Sequence, residues 1–119
     1  MSKFSPLKTA ATNYRVLSLN TTNSAVIKTS PALVQGIMIH NTGTIAFVKL
    51  YNKATAPTVG TDAPIMTIPV AATTGSVVIS FPAGVVFGIG LGIGITGAIG
   101  DSDTTAVAAN QVTVNLQYN

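Results

Sequence analysis

From Tyr14 to Tyr118, apolar and polar residues alternate in short runs with a period of two, separated by Asn, Thr, Gly and Pro. That period puts successive side chains on opposite faces of a sheet, whereas a helix would repeat near 3.6. The stretch Gly36–Asn52, GIMIHNTGTIAFVKLYN, is the clearest case. Ile37 and Ile39 alternate with Met38 and His40, and Ala46, Val48 and Leu50 alternate with Ile45, Phe47, Lys49 and Tyr51. Between the two runs lies Asn41-Thr42-Gly43-Thr44. Asn bonds readily to its own backbone, and Gly takes positive φ without steric cost. The expectation is a β-hairpin whose loop is built on a type I turn.

The remaining elements follow in order. Residues 1–12, MSKFSPLKTAAT, have no steady period and read as an extended N-terminal arm ahead of a domain spanning 13–119. It is either a plain frayed terminus or an arm that docks on a neighbour through Phe4 and Leu7. Strands are predicted at Tyr14–Leu19, Ala25–Lys28 and Ala32–His40, with turns at Asn20–Asn23 and Thr29–Pro31. Lys53–Pro64 is a long loop punctuated by Pro57, Gly60 and Pro64, and is either a binding loop or a surface crossover. Ile65–Val70 is a strand whose Pro69 places it at a sheet edge. Ser76–Phe81 is a strand, and Pro82-Ala83-Gly84 turns the chain.

Val85–Thr96, VVFGIGLGIGIT, sorts into two rows if extended. Phe87, Ile89, Leu91, Ile93 and Ile95 form an apolar row facing the core, and Gly88, Gly90, Gly92 and Gly94 form a bare one. A helix would be weakened by about 1 kcal/mol at each glycine. A bare row lets another backbone or a ring lie close to the sheet. It is a candidate subunit contact; intramolecular packing or a bend is the plainer alternative. Gly97–Asn110 is a polar loop, and Val112, Val114, Leu116 and Tyr118 form the inward row of a last, half-buried strand. About eight antiparallel strands with turns roughly every ten residues predict an all-β fold, a two-sheet sandwich or jelly roll.

Composition narrows the chemistry. Only 8% of the 119 residues are charged, against 47% hydrophobic; about 25% charged is usual. The six Lys and Arg residues are scattered, not clustered, which argues against nucleic-acid binding. The longest apolar run, Val85–Ile99, is interrupted by glycine and shorter than the ~20 residues of a membrane span, so no membrane partner is expected. Met1–Phe4 is not followed by the apolar core of an export signal. With no Cys, disulfides, thiolate metal sites and Cys nucleophiles are excluded. There is no Glu, and the three Asp residues, Asp62, Asp101 and Asp103, fall in predicted loops. His40 is the only histidine, and nothing in the pattern puts a Ser and an Asp beside it as a hydrolytic triad requires. Asp101-Ser102-Asp103 falls short of the six to eight oxygens of a calcium site. Gly92–Gly97 fits GxGxxG, but without the following helix that receives a pyrophosphate. No catalytic residue, metal or cofactor is assigned, and the chain is expected not to be an enzyme.

Residues 32–118 nevertheless carry a resemblance. The Asn-Thr hairpin, the strand end VKLYNK, the loop PTVGT, the turn FPAGVVF, and the ITG and DSDT segments of the following loop resemble small structural proteins encoded by tailed bacteriophages. These motifs are structural, so no binding residue is carried over. The resemblance implies a β-sandwich virion component, assembled in the bacterial host, with a major capsid protein or another virion protein as partner. Within that class the expected role is a capsid decoration (cement) protein, self-associating and of the trimeric kind. The alternative is a tail or head-fibre component that binds a receptor or carbohydrate. That reading requires exposed aromatic rings beside the 53–64 loop.

Overall fold

The computed structural model describes residues 10–119. Eight strands are present: β1 (Thr12–Leu17), β2 (Ala25–Lys28), β3 (Ala32–Asn41), β4 (Ala46–Tyr51), β5 (Met66–Val70), β6 (Gly75–Phe87), β7 (Leu91–Thr96) and β8 (Val112–Tyr118). They form two four-stranded sheets, one ordered β1-β8-β3-β6 and the other β2-β7-β4-β5. Every pairing is antiparallel. β1 pairs with β8, β2 with β7, β3 with β6 and β4 with β5. The first half of the chain therefore runs back along the second as one long ribbon, with β4–β5 at its tip. Rolling that ribbon brings β3 against β8 and β4 against β7. This is the jelly roll, and the sandwich expected from the alternation is what the chain forms.

The core lies between the sheets, where the predicted inward rows meet. Ile37 and Ile39 of β3, Val114 and Leu116 of β8, Val48 and Leu50 of β4, and Leu91, Ile93 and Ile95 of β7 are all at most 2% exposed. Burying a side chain of this kind stabilises the fold by about 1.5–3 kcal/mol. Pro69 sits in β5 and Pro82 in β6, each at an edge of its sheet, where the missing N–H costs no ladder bond.

Three local expectations are corrected. Gly36–Asn52 is not a hairpin: β3 is flanked by β8 and β6, and β4 by β7 and β5, so the two strands belong to opposite sheets. Thr42–Ile45 is a corner across the sandwich, held by Asn41. Val85–Thr96 is not one strand: Phe87 ends β6 and Leu91 starts β7 in the other sheet, with Gly88–Gly90 bending between them. Ile89, expected in the core, is 59% exposed at that bend. Finally, Pro82–Gly84 does not end a strand. It belongs to a bulge within β6, where the register passes from Gly36↔Ser80 to Val34↔Val85, and Gly84 takes φ 79°. β1 also begins at Thr12, inside the segment expected to be an arm, while Phe4 and Leu7 lie outside the described residues.

Candidate functional site

The two sheets differ in what covers their outer faces. On the β2-β7-β4-β5 sheet, the outward residues Phe47, Lys49 and Tyr51 are buried too, Lys49 and Tyr51 as deeply as the core row beside them. The chain's own loops cover them. A Cβ at Gly92 would lie 2.9 Å from Pro57, one at Gly94 2.7 Å from Val59, and one at Gly90 2.7 Å from the backbone of Lys53 and Ala54. The bare row predicted from sequence therefore makes room for the 52–65 loop. Of the four glycines that are candidate subunit contacts, Gly90, Gly92 and Gly94 are packed within the chain, the plainer alternative. Gly88 is exposed, with nothing within 4 Å of its missing side chain.

That loop is latched rather than open. Lys53 Nζ reaches Asp62 Oδ2 at 2.6 Å, and Thr58 N–H donates to the same oxygen at 2.7 Å. These bonds, Lys53 first, hold the Asp62 carboxyl below its ordinary range. Ser24 Oγ donates to Pro57 O, and Asn52 Oδ1 accepts the Ile89 N–H at 2.8 Å. The 97–111 loop covers the other end of the face. Lys49 Nζ donates to Gly100 O at 2.7 Å. Burial pushes the Lys49 pKa down, against the pull of Asp103 and Asp101. The Tyr51 hydroxyl is buried without a hydrogen-bond partner. Burial pushes its pKa up, and Asp101 and Asp62 add to the effect. Asp103 accepts from Thr105 Oγ1 at 2.8 Å and from the N–H groups of Thr105 and Ala98, led by Thr105 in holding its carboxyl below the usual range. Both its oxygens are thus committed to shaping the loop, and no group of three metal-ligating side chains occurs among the described residues.

At the end of the sandwich where the 97–111 loop closes, a buried polar network joins the corners. Asn41 Nδ2 donates to the carbonyls of Thr44, Val70 and Ala71 at 2.7–3.2 Å. Its Oδ1 accepts from Gly43 N–H and Gln111 Nε2. Ser18 Oγ donates to Ala108 O and accepts from the N–H groups of Gln111 and Val112. Every polar atom here has work within the fold, so the network is structural.

No loop among the described residues covers the outer face of the β1-β8-β3-β6 sheet. The register lays out cross-strand rows: Leu17, Thr113, His40 and Ser76; then Arg15, Asn115, Met38 and Val78; then Asn13, Gln117, Gly36 and Ser80. Met38 is 48% and Val78 75% exposed. Between them and His40 lies a shallow hollow of about 150 Å³, also lined by Ser76, Thr113 and Asn115. His40 Nδ1 lies 2.9 Å from Ser76 Oγ. Sequence reasoning did not foresee this pair, because strand register and not spacing brings β3 beside β6. Asp62, Asp101 and Asp103 all belong to the two loops over the other sheet. No carboxylate therefore orients His40, and the pair is a cross-strand contact without the third member that activates a hydroxyl. The described aromatic residues are buried or half-buried, Tyr51 fully so beneath the 52–65 loop, so none offers an open ring for sugar stacking.

No protein-family model matches the chain, and neither a curated protein nor a solved structure matches it. The candidate functional surface is accordingly defined by geometry: one sheet sealed by the chain's own loops and one left bare by the described residues, with Arg15 as the single permanent charge in its central rows.

Proposed function

We propose that this protein is a virion structural component, a capsid decoration protein that binds and stabilises an assembled phage head. The observation that carries this reading is the asymmetry of the sandwich. Loops seated on a close-fitting glycine row cover the outer face of one sheet. The other offers a nearly uncharged face rich in Thr, Asn, Ser, Met and Val. Such a face docks on a large partner without the desolvation penalty of buried charge. A protein that binds only the assembled lattice stabilises it by mass action. The likeness of residues 32–118 to tailed-phage structural proteins supports the same role, with the major capsid protein or another virion protein as partner. The carbohydrate-binding alternative is disfavoured by the lack of an exposed ring among the described residues.

The deciding experiment is mass spectrometry of purified particles with imaging of labelled protein. About one copy per major capsid subunit, on the head, supports decoration. A few copies at the tail replaces it with a tail role, and absence from the particle overturns both.

A further inference from the structure

The side of the sandwich formed by β5 and β6 carries no charge, for neither Met66–Val70 nor Gly75–Phe87 contains a Lys, Arg, His, Asp or Glu. The opposite side has Arg15 in β1 and Lys28 in β2. Free strands ordinarily bear charges, because their unpaired N–H and C=O groups template association. β6 is the terminal strand of its sheet. Its bulge and Pro82 blunt the second half, leaving Ser76–Ser80 as the open stretch. Among the described residues, apolar surface is left uncovered there. Val78 is 75% exposed, and the inward-facing Val77 and Ile79 are only half-buried, whereas their β3 partners Ile39 and Ile37 are sealed.

The open stretch, Ser-Val-Val-Ile-Ser, reads nearly the same in both directions about Val78. Laid antiparallel on a second copy, Val78 meets the partner's Val78, Val77 meets the partner's Ile79, and Ser76 meets the partner's Ser80. Apolar inward residues meet apolar inward residues, and hydroxyls meet hydroxyls on the outer face. That self-complementarity is the requirement of an isologous twofold contact.

We propose that the β6 edge is a homodimer interface, in which Ser76–Ser80 of two copies pair antiparallel about Val78 and join their sheets into one eight-stranded sheet. The paired stretch, five residues at ~3.4 Å each, runs about 17 Å along the edge, and its seam is made by backbone pairing together with the Val77, Val78 and Ile79 side chains. The pairing also sets Met38 and Val78 of the two copies side by side on the bare face, doubling its area. The contact stands on its own and does not depend on the virion role, so either can fail without the other.

The test uses the full chain. Sedimentation equilibrium at micromolar concentration should give a dimer. Val78→Lys, at an exposed site, should give a monomer with an unchanged far-ultraviolet circular dichroism spectrum. The chain has no cysteine, so Val78→Cys should cross-link to a reducible dimer under mild oxidation, because residues opposite one another are about 4.5–5.5 Å apart at Cβ. Ser76→Cys, opposed by the partner's Ser80, should cross-link at least tenfold more slowly. A monomeric or trimeric natural chain, a dimer indifferent to Val78→Lys, or equal cross-linking at both cysteines would overturn the proposal.

Discussion

Asn41 shows how much one side chain can carry in a chain with so few charges. Its amide bonds three carbonyls, Gly43 N–H and the Gln111 side chain. Asn41→Ala would strand several buried groups, each costing about 1–3 kcal/mol when left unpaired. Urea unfolding should register a loss of about 2–4 kcal/mol, with the midpoint moved and the slope kept. Tyr51 is the reverse case. Its hydroxyl is buried without a partner, so Tyr51→Phe should leave stability unchanged or raise it by up to about 1 kcal/mol. Lys49 adds a pH dependence whose sign is fixed. Burial lowers its folded pKa, so between that value and the unfolded value near 10.4 the unfolded chain holds more protons. Stability therefore rises with pH through that window. Lys49→Met should abolish the rise, measured below about pH 9, where tyrosines of ordinary pKa near 10 stay largely protonated. Because Gly100 is exposed and its carbonyl can turn to water, Lys49→Met should not destabilise the protein at pH 7.

Among elements, β7 is the strand that most constrains its surroundings. Its apolar row fills the core while its glycines let Pro57 and Val59 of the 52–65 loop lie close against the strand. Gly94→Ala would drive a methyl group into Val59, and overpacking of this kind costs about 1–3 kcal/mol. Gly88→Ala, facing open space, should change thermal stability little. The contrast separates packing from the intrinsic preference of glycine, and limited proteolysis should show the 52–65 loop loosened in the first variant alone. Alternation alone predicted which residues of β3, β4, β7 and β8 face the core. It did not show that the outward residues of β4 are buried too, because period two distinguishes faces and says nothing about what covers them.

The rolled ribbon governs the behaviour of the whole molecule. Thr12 pairs with Tyr118, so the described chain closes on itself from its first strand to its last. β8 lies between β1 and β3. Deleting residues 112–119 therefore removes an interior strand, and circular dichroism of the truncated chain should show loss of the fold, not a shortened sandwich. Such non-local pairing also makes folding slow. Stopped-flow refolding should fall in the range of about milliseconds to seconds typical of sheet sandwiches. No disulfide rearrangement can add a slower phase, since the chain has no cysteine.

The side-chain period by itself determined the all-β class, the number of strands and the inward rows apart from Ile89, and Pro69 marked β5 as an edge strand, because these depend on the residue itself and on neighbours one and two places away. Only the tertiary structure decided which strands pair. Two runs joined by Asn41–Thr44 can fold back as a hairpin or cross to the opposite sheet, and the local turn chemistry is the same for both. The choice is made by strands distant in sequence, β6 and β8 flanking β3 and β5 and β7 flanking β4. The same distant pairings brought Ser76 to His40 and left the outer face of that sheet clear of the described loops.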